Sequence, residues 1–339
     1  MRAGAVVDRL LRSEEPSIRW KTRVNVLGES RGSRRVRALG DEVRRSRRIR
    51  TILSQGDPKG SVAAARGVYA KWQGAHWILA HLADLGYPPG DATLEPLCDR
   101  TLGVWLRASY YAEFEAATRA ASYGRTGVPL MEGRYRRCAS QQGNALRSIT
   151  ALELDDGRCA QLVERLLHWQ WPDGGWNCDT HPEAHVSSFH ETLLPMRGLA
   201  LYGVRNRATK ASRAARRASE LFLTRRMFRR RSTGTTMAAD FVRLHYPAYW
   251  HYDVLGGLRA MAELGRIRDA RCGDALDLLE GKRLPDGGWP AEAKYYTTSS
   301  EYRGGGEFVD WGGTALRRSN PWVTVDALSV LRSAGRLEL

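Results

Sequence analysis

The chain has 339 residues and a formal net charge of +16, from 53 basic and 37 acidic side chains; 42% of residues are hydrophobic and 27% charged. That balance supports a large core and excludes a disordered chain, and no apolar run nears the ~20 residues that span a bilayer. Five scattered cysteines (Cys98, Cys138, Cys159, Cys178, Cys272) and an N-terminus without a signal-like apolar stretch predict a reduced, cytoplasmic protein rather than a disulfide scaffold.

In chain order, six strongly apolar segments read as helices: IRWKTRVNVLG from Ile18, HWILAHLADLG from His76, NALRSITALEL from Asn144, HETLLPMRGLALYG from His190, HYDVLGGLRAMAELG from His251 and WVTVDALSVLRSAG from Trp322. Several are apolar on nearly every side, as a helix buried all round must be. Their starts lie about 45 to 70 residues apart, the spacing of a helical-hairpin array. Two amphipathic segments, AQLVERLLHWQ and DALDLLEGKR, also read as helices. Each of these is followed by the same punctuation, PDGGW, ending at Trp176 and at Trp289. Proline stops a helix, Asp-Gly-Gly tolerates a tight turn, and the tryptophan is placed to clamp that turn onto its neighbour. The pattern predicts an all-α chain with almost no strand. Its fold is a single α/α toroid of about six hairpins over residues 1–339, with residues 1–55 a basic N-terminal hairpin completing the ring.

Only six of the 53 basic residues are lysine. Two readings stand: a GC-rich genome, or an anionic partner such as nucleic acid, a phosphorylated ligand or a membrane surface. The densest runs are residues 44–50 (RRSRRIR) and 225–231 (RRMFRRR), the second bringing Arg225 and Arg226 forward as anion contacts.

The run QWPDGGW, Gln170 to Trp176, resembles the Q-x-x-x-G-x-W repeat of squalene–hopene cyclases and related triterpene cyclases. Its turn is similar to that of protein prenyltransferase β-subunits. The whole chain, with its FHETL and WHYDVL segments, resembles bacterial proteins of the prenyltransferase and squalene-cyclase-like class. The repeat is degenerate elsewhere: Arg283 replaces the glutamine of the second copy, and Gln55 to Gly60 (QGDPKG) keeps a turn without the tryptophan. The resemblance implies the toroid fold and a central cavity acting on a small, partly apolar substrate. It does not carry over either known chemistry. The nearest match to the cyclase D-x-D-D motif is ELDD at residues 153–156, read as a solvated loop. The D-x-C zinc pair of protein prenyltransferases is missing, although His190 resembles the setting of their histidine ligand. A chain of 339 residues is also short for the second domain of a triterpene cyclase.

In such a ring the inner helices run roughly parallel, so their N-termini gather at one rim, which favours an anion. Candidate substrate-binding residues there are Trp20, His76, Trp77, Asn144, Glu191, Trp250, Tyr252 and Trp322, joined by Arg225 and Arg226. The aromatics either steady a cationic intermediate or simply form core; Asn144 either binds a carbonyl or caps a helix. His190, His251 and Asp253 are the candidate catalytic trio, because imidazole and carboxylate exchange protons near neutral pH. Cys178, His190 and Asp253 make a candidate zinc set, with His181 and His185 competing from the same loop; the sequence specifies no cofactor outright. Two functions follow: an enzyme using acid–base or metal-assisted chemistry on a small, anionic molecule, or a non-catalytic ring that binds nucleic acid or a phosphorylated ligand. No phosphate-binding glycine motif, nucleophile elbow or paired C-x-x-C is present.

Overall fold

Every one of the six apolar segments becomes a helix. The computed structural model describes residues 3–54, 67–299 and 304–338, so the QGDPKG turn lies outside the described residues. Within them are fifteen α-helices: α1 (Gly4–Leu11), α2 (Pro16–Lys21), α3 (Arg34–Arg45), α4 (Arg47–Ser54), α5 (Ala75–Leu85), α6 (Glu95–Trp105), α7 (Ala108–Tyr111), α8 (Arg119–Ser122), α9 (Ala139–Ala151), α10 (Cys159–His168), α11 (Phe189–Arg205), α12 (Thr209–Leu223), α13 (Val254–Glu263), α14 (Gly273–Gly281) and α15 (Pro321–Ser333). Helix α2 runs on into a π-helical turn, Thr22–Val26. The expected scarcity of strand holds among the described residues. Five strands of two to four residues form two small sheets: β1 (Glu113–Glu115), β2 (Val128–Met131) and β3 (Arg134–Tyr135) in one, β4 (Thr297–Thr298) and β5 (Gly306–Glu307) in the other. None of the helices there is long and apolar enough to cross a membrane.

The six apolar helices are α2 with its π turn, α5, α9, α11, α13 and α15. Each packs against the next in chain order, and α15 returns to α2 and the π turn. Helices α3, α10, α12 and α14 pack on α2, α9, α11 and α13 respectively, and α6 packs on both α5 and α9. Helix α10 buries one face, Cys159, Leu162, Val163 and Leu166, the 3.6-residue pattern of an amphipathic helix. Buried apolar residues from α1 through α15 join in one continuous core, with a small satellite at Phe114, Ala116 and Met131.

The two PDGGW turns are built alike. Gly174 and Gly287 sit at φ +97° and +83°, where a side chain is strained. The second glycine is required for space: a Cβ on Gly175 would lie 2.5 Å from Thr192 Oγ1, and one on Gly288 2.5 Å from Ser319 Cβ. Trp176 donates its backbone N–H to Thr192 Oγ1 (3.1 Å) and its indole N–H to Leu166 O (2.9 Å). Trp289 repeats both bonds, to Thr324 Oγ1 (2.9 Å) and Leu279 O (2.7 Å). Both indoles are fully buried, at 1% and 0% exposure. Each tryptophan therefore ties the end of an outer helix to the first turn of the next inner one.

Two helix starts differ from expectation: α9 begins at Ala139, which puts Asn144 in its second turn rather than at its N-terminus, and α13 begins later than His251. His190 does open α11, capped by Ser188. His251, however, precedes α13, which begins at Val254. Asp253 is its N-cap: the carboxylate accepts from Gly256 N at 2.7 Å, which satisfies a first-turn amide and leaves the upstream backbone extended.

Candidate functional site

Three clusters of chemically competent side chains occur along the inner helices. The first contains the predicted trio and adds a residue to it. His190 Nδ1 accepts from Tyr252 N at 3.0 Å, so the neutral ring carries its proton on Nε2. Burial lowers its proton affinity. His251 is sandwiched between Trp250 and Tyr295, with ring centroids 3.9 and 3.6 Å away. Burial, followed by the nearby His245 and His190, pushes its pKa down to about 3. Asp253 does not support His190. Its carboxylate lies 2.8 Å from Nδ1 of His245 and accepts from His245 N at 2.9 Å. Burial opposes protonation of His245, but the Asp253 charge outweighs it and raises the imidazole's pKa. Sequence reading missed His245. The signal was the second His-Tyr dipeptide, HYP at residues 245–247, six residues before HYD.

The second cluster is a central chamber of about 50 Å³, lined by Trp77, His81, Asp84, Asn144, Arg147, Arg197, Tyr246, Tyr249 and Arg259 among others. Two wider pockets share its arginines, one of about 310 Å³ with Trp20, Arg31, Glu263 and Asp326, the other of about 280 Å³ with Arg205. The two wider pockets are walled mainly by the C-terminal halves of α5, α9, α11, α13 and α15, while the chamber itself reaches back to Trp77 in the first turn of α5 and Leu194 in the first half of α11. These two pockets lie away from the N-terminal rim at which the candidate residues were expected to gather. Above the chamber the segment before α13 fills the space: Tyr249 stacks on Trp72 (3.7 Å) and donates to Glu307 (2.9 Å), and Tyr246 donates to Asp84 (2.8 Å). The positive charge at the mouth therefore comes from guanidinium groups, not helix dipoles, whose negative ends lie on this side.

Ion pairs organise the chamber. Lys21 and Arg259 each bridge Asp84 and Asp326, at 3.0 and 2.9 Å for the lysine and 2.7 and 2.6 Å for the arginine. Burial opposes ionisation of Asp84, but Lys21 and Arg259 hold its carboxyl well below the usual range. Arg197 grips Glu263 with two bonds, 2.7 and 2.6 Å. Arg147 is different. Its nearest carboxylate oxygen, on Glu263, is 4.0 Å away and already held by Arg197. Burial, then repulsion from Arg197, lowers its pKa only to about 10, so it stays charged at neutral pH. Four buried or half-buried cations face three carboxylates, and Arg147 is the one in excess.

The third cluster replaces the predicted metal set. Among the described residues, the one group with metal-ligand spacing is Cys138, Cys178 and Glu191, whose donor atoms lie within 4.8 Å of one another. His190 and Asp253 do not belong to it: His190 turns to Tyr252 and Asp253 to His245. His181 and His185 are exposed on the intervening loop.

The remaining predicted residues separate. Trp77 and Asn144 line the chamber and Trp20 its mouth, with Arg31 5.0 Å above the Trp20 ring. His76 is buried, and burial takes its pKa to about 3. Trp105 donates to its Nδ1 (3.2 Å), and its Nε2 lies 3.0 Å from the side-chain amide nitrogen of Asn144. Trp250 flanks His251 and His190. Tyr252 and Trp322 are core: Tyr252 donates to Met227 O, and Trp322 stacks on Tyr246. Arg225 and Arg226 stand apart from the chamber, at the end of outer helix α12. Arg225 bonds Leu221 O, Arg226 and Arg229 pair with Asp274, and Arg230 bonds Met237 O. Four of the five arginines of that run thus make internal contacts. The ELDD run is a loop, with Asp155 capping α10 and Asp156 paired to Arg158. No family model, curated protein or solved structure matches the chain.

Proposed function

We propose that this chain is an α/α toroid of six hairpins, an enzyme of the terpene-cyclase and prenyltransferase-like class that takes a small, partly apolar anion into the arginine-lined pockets that meet its central chamber. The ring reading is supported by the cyclic order of contacts, α2–α5–α9–α11–α13–α15–α2, and by the paired QW-type turns. The substrate reading is carried by Arg147: a charged guanidinium without a close carboxylate, at the junction of the chamber and both outer pockets. A bound phosphate, diphosphate or carboxylate balances it, and Trp77, Tyr246 and Tyr249 offer the apolar wall beside it. Acid–base groups are supplied by His81, which shares Glu307 with Tyr249, and by the His190–His251–His245 cluster at the other end of the helices. A reducing cytoplasm suits five cysteines that are all free thiols. The internal contacts of residues 225–231 favour this reading over a nucleic-acid binder.

The experiment is a thermal-shift and calorimetric titration with inorganic pyrophosphate and with a short isoprenyl diphosphate. Expected is saturable binding in which the isoprenyl compound is the tighter ligand, lost in Arg147→Met. Equal binding to the wild type and to a folded Arg147→Met protein, or none to either anion, overturns the site.

A further inference from the structure

We propose that Cys138, Cys178 and Glu191 bind one zinc ion, with a fourth coordination position left to water or a substrate atom. Two thiolates and a carboxylate are a borderline-soft donor set of the kind zinc takes in tetrahedral sites. Thiolate sulfurs on a tetrahedral zinc lie about 3.8 Å apart, given Zn–S bonds of about 2.3 Å. The donor atoms here are already within 4.8 Å, and Cys178 Sγ is 3.5 Å from Glu191 Oε1.

The backbone holds the three donors in place before any ion binds. Arg137 N donates to Asn177 O (3.0 Å), which zips the strand carrying Cys138 to the one carrying Cys178. Ser188 N donates to Trp176 O (2.9 Å), fixing the Cys178 loop to the first turn of α11. Ser140 N donates to Glu191 Oε2 (3.0 Å), orienting the carboxylate.

The second PDGGW turn serves as an internal control. It has the same tryptophan and threonine bonds, yet the positions matching Cys178 and Glu191 are Ala291 and Val323, both buried and apolar. The turn itself therefore requires neither a thiol nor a carboxylate. Charge points the same way. Arg137 is 8% exposed, lies over Tyr110 and Trp169, and has no carboxylate within ion-pairing distance among the described residues. Zinc binding expels the two thiol protons to solvent and forms two Zn–S bonds and one Zn–O bond, with no electron transferred. The resulting site carries one negative charge, which Arg137 balances. All three donors are only half-buried, so the fourth position is reachable.

The test uses full-length protein, purified in reductant, stripped with a chelator and titrated with zinc chloride against a chromophoric competitor; cobalt chloride is the spectroscopic probe. Expected are one zinc per chain, a thiolate-to-cobalt charge-transfer band and a raised melting temperature. Cys138→Ser and Cys178→Ser should each weaken binding by more than ~100-fold, and Arg137→Met, which removes the balancing charge, by ~10–100-fold. Glu191→Gln supplies the same readout if a serine variant fails to fold. Cys98→Ala and Arg147→Met should keep wild-type zinc affinity, which separates this site from the anion chamber. A folded, reduced wild type that binds no zinc overturns the proposal, as does unchanged affinity in both serine variants.

Discussion

Replacing Trp176 by alanine tests the physical role of the repeated turn. The indole is 1% exposed and clamps the end of α10, through Leu166 O, to α11. Truncating a buried tryptophan costs about 3–5 kcal/mol, because the cavity it leaves is only partly refilled. Leaving the Leu166 carbonyl without its donor adds about 1 kcal/mol or more unless water enters. An unfolding entropy of roughly 2.1 cal/mol/K per residue gives about 0.7 kcal/mol/K for a chain of this length, so 3–5 kcal/mol lowers the melting temperature by about 4–7 °C. Trp289→Ala should match it, since the two turns make the same bonds. The turns share no hydrogen-bond partner, so the double variant should be additive within about 0.5 kcal/mol. Trp176→Phe keeps most of the apolar volume and should lose only the indole bond. Calorimetry and urea denaturation read all four. A Trp176→Ala loss below about 1 kcal/mol, a fraction of what a packed aromatic contributes, would refute the clamp.

Asp253 raises the proton affinity of His245, so the folded state holds that proton more tightly than the unfolded chain. The resulting stability is complete below the unfolded value of about 6.5 and is lost as pH rises through the higher folded value. Denaturation free energies from pH 5.5 to 9 should show this decline in the wild type and a flatter profile in Asp253→Asn. Glu263 behaves oppositely: burial opposes its ionisation, but Arg197 and then Arg147 take its pKa down to about 2. Its contribution is present above the unfolded value of about 4.3 and fades as pH falls towards 2, in part only, because 39% of the side chain is exposed and water screens it. Glu263→Gln should therefore flatten the acid limb of a melting-temperature profile. Arg147→Met should leave stability unchanged or raised, since it removes a buried cation lacking a close partner. Arg197→Met should cost roughly 1.5–3 kcal/mol by breaking two charged hydrogen bonds, and chemical denaturation separates the two.

Six apolar helices and the two clamped turns were legible in the amino-acid sequence. These depend on neighbours within one or two helical turns: a 3.6-residue apolar rhythm, a proline, two glycines and a tryptophan. The position of His190 in the first turn of α11 was legible for the same reason. Which side chains meet across the molecule was decided only by tertiary packing. Lys21, Asp84, Arg259 and Asp326 converge from four different inner helices, and no spacing along the chain announces their pairing. Asp253 reads as a partner for His190, yet capping α13 swings its carboxylate to His245. Cys138 belongs to no motif, and long-range bonds such as those from Arg137 N to Asn177 O and from Ser140 N to Glu191 bring it to Cys178 and Glu191. Tyr246 and Tyr249 fill the space above the chamber, which moves its mouth to the C-terminal halves of the inner helices. Local pattern selects helices and turns because their energies are short-ranged. Charge pairing and donor clusters depend on where distant helices come to rest, and that is set by the packing of the whole core.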